Sequence, residues 1–165
     1  MARTEVGASH FSGDTVEFIR LLANYRVRYV IVGGEAVIFY GYARLTGDVD
    51  FFYDLRPENL KSLHELLLDF WSGSIPGDLS IDDLSVPGQI IQFGQPPNRI
   101  DLLNRISGVE FDEAWRSRTE VDIRLGDQDI TLQFIGLDQL IKNKSASGRP
   151  KDADDLAYLE ALRRP

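Results

Sequence analysis

The sequence predicts one α/β (α+β) domain in which a mixed β-sheet is flanked by helices. Three observations carry this. In the first half, helical apolar spacing alternates with short β-branched or alternating runs. Two strand–turn–strand patterns follow, and two helical segments close the chain. Thr15–Tyr25 reads as an amphipathic helix through Val16, Ile19, Leu21 and Leu22, with Asp14 as its expected N-cap. Val27–Val32 is a β-branched run ending at Gly33-Gly34, which suits a buried strand. Glu35–Tyr42 offers an apolar helical face, and Gly41 weakens its end. Asp48–Tyr53 alternates acid and apolar residues, which puts Asp48 and Asp50 on one face of a strand and Val49 on the other. Pro57 opens the next helix, with Leu60, Leu63, Leu67 and Phe70 in register up to Trp71.

Ser72–Gly88 is rich in Gly, Ser, Pro and Asp and has little periodicity, so a mobile surface excursion is expected. Gln89–Phe93 and Arg99–Leu103 form a hairpin across Gly94–Asn98. Phe111–Arg118 is a short helix. Glu120–Leu125 and Asp129–Phe134 form a second hairpin, and the helices Leu137–Asn143 and Lys151–Leu162 end the chain. Residues 1–165 are expected to be one domain, with 1–13, including His10, as a flexible leader.

Composition excludes several classes. No cysteine is present, which removes disulfides, zinc ribbons and thiol catalysis. The two histidines, His10 and His64, are too few for a multi-histidine metal centre. No apolar run is long enough to span a membrane, and Met1–Asp14 lacks the apolar core of a signal peptide, so a cytoplasmic protein is expected. A formal charge of −8 argues against extended, non-specific contact with nucleic acid.

The chemistry concentrates between Gly33 and Asp50. Adjacent glycines let backbone N–H groups approach an anion with no Cβ in the way. Asp48 and Asp50 can hold a hard divalent cation that bridges to the same phosphates. Asp101, between Ile100 and Leu102-Leu103, is a charge embedded in an apolar strand. It either completes a two-metal site or pairs with Arg99 or Arg105. Lys142, Lys144, Arg149 and Lys151 lie within ten residues of each other in an otherwise acidic chain, on and after a helix end marked by Gly148 and Pro150. Such cations suit a triphosphate. Asp152 and Asp155 either belong to that site or cap the last helix and pair with Lys151.

These residues together resemble the DNA polymerase beta-type nucleotidyltransferase superfamily. Its hallmark is a strand ending in Gly-Gly or Gly-Ser, a helix, Asp-x-Asp on the next strand and a later third Asp. Here these are Gly33-Gly34, Asp48 and Asp50, and Asp101, with thirteen residues between Gly34 and Asp48. The Arg44-x-Thr46-x-Asp48-x-Asp50 variant and the tail Lys142-x6-Arg149-x-Lys151-Asp152-x2-Asp155-Leu156 look most like the minimal, AbiEii-type group found in toxin–antitoxin or phage-defence loci.

The resemblance implies a polymerase-beta-like fold and Mg²⁺ (or Mn²⁺)-dependent transfer of a nucleoside monophosphate from an NTP to a hydroxyl of RNA, protein or a small molecule. Asp48 and Asp50 would bind both metals. Asp101 would bind one and assist deprotonation of the acceptor. Gly33 and Gly34 would cradle the β- and γ-phosphates, with Lys142, Arg149 and Lys151 offsetting their charge. Arg44 and Thr46 would contact triphosphate or base, or Arg44 would only neutralise the acids. Expected partners are the NTP, tRNA or another RNA as acceptor, and a partner protein or second copy, with no membrane. One departure is Glu35, where relatives carry a hydroxyl residue beside the phosphate. It leaves a second reading open, a catalytically degenerate nucleotide- or protein-binding module. A metal-dependent phosphohydrolase would share the carboxylates but need neither the glycine pair nor the basic tail.

Overall fold

The computed structural model describes residues 6–7 and 10–165. Six strands form one mixed sheet: β1 (Tyr29–Val32), β2 (Asp48–Tyr53), β3 (Ile90–Phe93), β4 (Arg99–Leu103), β5 (Thr119–Leu125) and β6 (Gln128–Phe134), in the order β3-β4-β2-β1-β6-β5. The predicted α/β class with a mixed, helix-flanked sheet is therefore what the chain adopts. β1 runs antiparallel to β2 and parallel to β6, while β2 runs parallel to β4. Both hairpins, β3–β4 and β5–β6, form as expected. β1 lies inside the sheet and is buried on both faces, as its continuous apolar run requires.

Seven helices accompany the sheet among the described residues: α1 (Gly13–Asn24), α2 (Gly33–Phe39), α3 (Pro57–Phe70), α4 (Ile81–Leu84), α5 (Phe111–Arg116), α6 (Leu137–Ser147) and α7 (Ala153–Arg163). The two faces of β2 sort the molecule. Phe51 contacts Phe18 of α1, and Phe18 contacts Phe70 of α3, so these helices cover one face. Phe52, on the other face with Asp48 and Asp50, packs edge-on against Phe111 of α5. The acids thus sit on the side that α1 and α3 leave open.

Several boundaries differ from expectation for local reasons. Ser12, not Asp14, caps α1, its Oγ accepting from the Thr15 amide at 3.4 Å. β1 starts at Tyr29; before it, the Asn59 side chain bonds both backbone groups of Arg28, at 2.7 and 3.2 Å, and the Arg28 carbonyl also accepts from the Asp54 amide at 3.3 Å. α2 starts two residues early, at Gly33, whose φ of +68° turns the chain out of the strand, and it ends at Phe39 rather than Tyr42. α6 continues past Asn143 to Ser147 and stops at Gly148, in the left-handed region that favours glycine.

The segment 72–88 is not a loose excursion. It holds a 3₁₀ turn (Pro76–Asp78) and α4, whose start carries a reciprocal Ser80–Asp83 capping box. Ile75 and Leu84 enter the core, and the Leu84 carbonyl accepts from the Tyr53 hydroxyl at 2.7 Å. Of the expected leader, residues 1–5, 8 and 9 lie outside the described residues; Phe11 is buried and His10 reaches α2.

Candidate active site

Parallel pairing of β2 and β4 sets Asp50 opposite Asp101, so all three acids meet on one sheet face. Ligand oxygens of Asp48, Asp50 and Asp101 lie within 4.8 Å of one another. They face a cleft of about 700 Å³ whose wall also carries Gly33, Gly34, Arg44 and Thr46. The glycines are sterically required. A Cβ on Gly33 would overlap the Asp50 carboxylate, and one on Gly34 would stand 2.7 Å from Thr46 Oγ1. Thr46 Oγ1 donates to Asp48 Oδ1 at 3.2 Å, tying the loop before β2 to the first acid.

Three carboxylates this close cannot all ionise freely. Burial first, then the charges of Asp48 and Asp101, pushes the Asp50 carboxyl up to about 8. Burial likewise raises Asp101, partly offset by Arg99. Burial would raise Asp48 too, but hydrogen bonding to Asp101, Arg99 and Thr46 outweighs it and leaves Asp48 below the usual carboxylate range. Arg99 is the internal counter-charge. Its Nη2 donates to Asp48 at 2.7 Å, and its Nε and Nη2 donate to the two oxygens of Asp101 at 2.8 and 3.0 Å. One guanidinium therefore spans two of three acids, and Asp50 is left with the proton. Convergent hard oxygen donors around an uncompensated negative charge fit a divalent cation.

The opposite wall comes from the end of α6 and the turn that follows it. Lys144, only 3% exposed, donates from Nζ to Asp152 at 2.8 Å and lies 3.2 Å from Asp155. Asp155 also holds Arg44, which donates to it from Nη2 at 3.0 Å and brings Nε to 2.9 Å from its other oxygen. Arg149 and Ser147 add hydrogen bonds to Asp152 at 2.7 and 2.8 Å. Burial would raise Asp152, yet its bonds from Lys144, Ser147 and Arg149 pull it down to about 2. This lock ties α6 and α7 to the loop that carries Arg44 and Thr46.

Of the residues singled out in the sequence, Gly33, Gly34, Arg44, Thr46, Asp48, Asp50, Asp101, Arg149 and Lys151 all line this cleft. Lys142 does not; its Nζ bonds Glu113 of α5 at 2.8 Å. Arg44 engages Asp155 rather than the acid triad, and Asp152 and Asp155 pair with Lys144 rather than with Lys151. Glu35 turns away from the cleft, buried, and bonds His10 Nε2 at 2.7 Å, which raises the His10 pKa. Arg99 enters the sequence reading only as a pair for Asp101, which it is. Lys144 enters it only as one of the cations suited to a triphosphate, whereas in the structure it is buried against Asp152 and Asp155. For Lys144 a signal existed, since it falls on the helical stripe of Leu140 and Ile141, the buried face of α6.

A family model described as a nucleotidyltransferase of unknown function (DUF6036) matches residues 14–162. The chain belongs to this nucleotidyltransferase family. No curated protein matches the chain. The DUF6036 match takes in both walls of the cleft, from the glycine turn to α7.

Proposed function

We propose that the protein is a divalent-metal-dependent nucleotidyltransferase that moves a nucleoside monophosphate from an NTP to a hydroxyl. The observation that carries this is the convergence of Asp48, Asp50 and Asp101 within 4.8 Å, facing a glycine turn that admits no Cβ. Asp48 and Asp50 would hold Mg²⁺ or Mn²⁺ together, with Asp101 joining at one ion. When bound, the ions would neutralise the phosphates and make the acceptor hydroxyl a better nucleophile. The hydroxyl oxygen forms a bond to the α-phosphorus, the bond from that phosphorus to its bridging oxygen breaks, and pyrophosphate departs with the electron pair. The hydroxyl proton leaves by way of Asp101. Backbone N–H groups at Gly33 and Gly34 would receive the phosphates with Thr46 beside them, while Arg149 and Lys151 would meet the triphosphate from the facing wall. Arg44 acts from behind, clamped by Asp155.

The orientation of Glu35 bears on the competing reading of a degenerate binding module. Its carboxylate is engaged by His10 and lies off the phosphate path, so its presence after the glycines does not oppose nucleotide binding. The reading extends to a cytoplasmic enzyme of the minimal, toxin–antitoxin type. The test is incubation with each α-labelled NTP, Mg²⁺ or Mn²⁺, and bulk tRNA. Label should transfer with the native chain and vanish in Asp48→Ala/Asp50→Ala. Calorimetry that finds no metal-dependent NTP binding to the native chain would overturn the proposal.

A further inference from the structure

The face of β2 and β4 that carries the acids does not end at them. Two residues on, Phe52 stands opposite Leu103 on the same face, and Asp54 follows. There a second cavity of about 410 Å³ opens between the ends of these strands and α5. It shares Arg105 and Ile106 with the catalytic cleft, so the two cavities adjoin along the same sheet face, a trough in two compartments bordered by those residues. Its floor is apolar: Phe52 meets Phe111 with ring centroids 5.3 Å apart, and Val109 is buried beside them. Its rim is ionic. Arg56 bridges Asp54 and Asp112 at 3.0 Å each, which satisfies those two acids. Glu110 and Arg105 remain, exposed and without an ion pair to another described residue. The nucleotide reading leaves this cavity unused.

We infer that this cavity is the acceptor subsite, and that it takes a compact amphipathic hydroxyl compound carrying both a positive and a negative group. The inference rests on the nucleotidyltransferase reading above and names the class of its second substrate. A volume of this size matches a small molecule. The apolar floor would hold its body, Glu110 and Arg105 would meet its ionic groups, and the shared stretch of trough would let its hydroxyl reach the acids. A polynucleotide is disfavoured by charge. Six of the eighteen basic side chains line the catalytic cleft, against four of the twenty-six acids, so the remaining surface is more acidic than the chain as a whole. Such a balance works against extended contact with a nucleic-acid backbone outside the cleft.

The experiment offers three cell fractions, a small-molecule ultrafiltrate, bulk RNA and total protein, to the full chain with Mg²⁺ and each α-labelled NTP. Val109→Trp fills the cavity. Glu110→Lys reverses a charge on its exposed rim with no packing to disturb. Label should appear on a small species, and its yield should fall about tenfold or more in both variants, the scale of one reshaped pocket contact. NTP binding by calorimetry should be unchanged in both. Label on RNA or protein alone overturns the inference. So does a small product that forms undiminished in either folded variant, or NTP binding with label in no fraction. If the native chain binds no NTP, the nucleotidyltransferase reading itself has failed, and calorimetry distinguishes that case.

Discussion

At the scale of single residues, the site is defined by which charges find partners. Arg99 satisfies Asp48 and Asp101, and Asp50, crowded by both acids, carries the cost as a carboxyl raised to about 8. A carboxyl that holds its proton more tightly when folded adds stability that is complete below its ordinary value near 3.8 and is lost as pH rises through about 8. Chelator-treated protein should therefore lose on the order of a few kcal/mol between about pH 5 and about pH 8.5 in urea unfolding. Asp50→Asn, a permanent mimic of the protonated form, should flatten that loss; a native profile equally flat would contradict the proposed crowding of acids. The three acids were legible in the sequence because Asp48 and Asp50 alternate with apolar residues along one strand and Asp101 stands inside an apolar run. Arg99 was legible only as a partner for Asp101; its second bond, to Asp48, was not, since an Arg two residues from an Asp carries no message about a strand lying elsewhere in the chain. The same limit applies to lysines. Lys144→Met should cost about 3 kcal/mol, because it removes the buried cation that Asp152 and Asp155 share and leaves them to Arg149 and Arg44 alone. Lys142→Ala, removing an exposed pair with Glu113, should cost less than about 1 kcal/mol and leave NTP affinity intact. Comparable losses from the two, by denaturant titration, would refute the division between cleft and surface.

At the scale of elements, legibility followed periodicity. β2 and β4 have the bounds expected from sequence, since alternation and a β-branched or apolar run leave little choice of register. The segment 72–88 misled because apolar residues such as Ile75, Leu79, Ile81 and Leu84 are scattered among turn formers with no sustained strand or helix period. The Ser80–Asp83 capping box is a local mark of order there, but which apolar residues reach the core is decided by the space they fill in the assembled molecule. Leu84 is fully buried under Tyr53 and Asn104, so Leu84→Ala should cost about 2–5 kcal/mol, a core-sized penalty from a segment that reads as loop. Thermal unfolding that barely moves would return 72–88 to the status of a surface excursion. The early start of α2 has a similar origin. A positive φ at Gly33 is set by the approach of Asp50 from another strand, and helix propensity alone could not foresee it.

At the scale of the whole molecule, two walls of one cleft come from parts of the chain a hundred residues apart, and the Arg44–Asp155–Lys144 lock joins them. A ligand that spans both walls binds only the folded state, so it must raise stability by mass action. An NTP with Mg²⁺ at a hundredfold excess over its Kd should add about 2.7 kcal/mol. For a chain of this size that is a rise of roughly 5–10 °C in Tm. Differential scanning fluorimetry with and without Mg²⁺ measures it. The absence of any metal-dependent shift with every NTP tried would remove the nucleotide from the proposal.

The ring stack around α5 has a practical use. Trp115 lies against Phe111, centroids 6.0 Å apart, with the Arg118 guanidinium over it at 3.8 Å, while Trp71, the second of only two tryptophans, sits beside Phe93 at the far edge strand. Phe111 is also a wall of the second cavity. Emission from the protein is thus already divided between a fluorophore one ring away from that cavity and one remote from it. With Trp71→Phe, intrinsic fluorescence becomes a label-free optical reporter of what enters the trough.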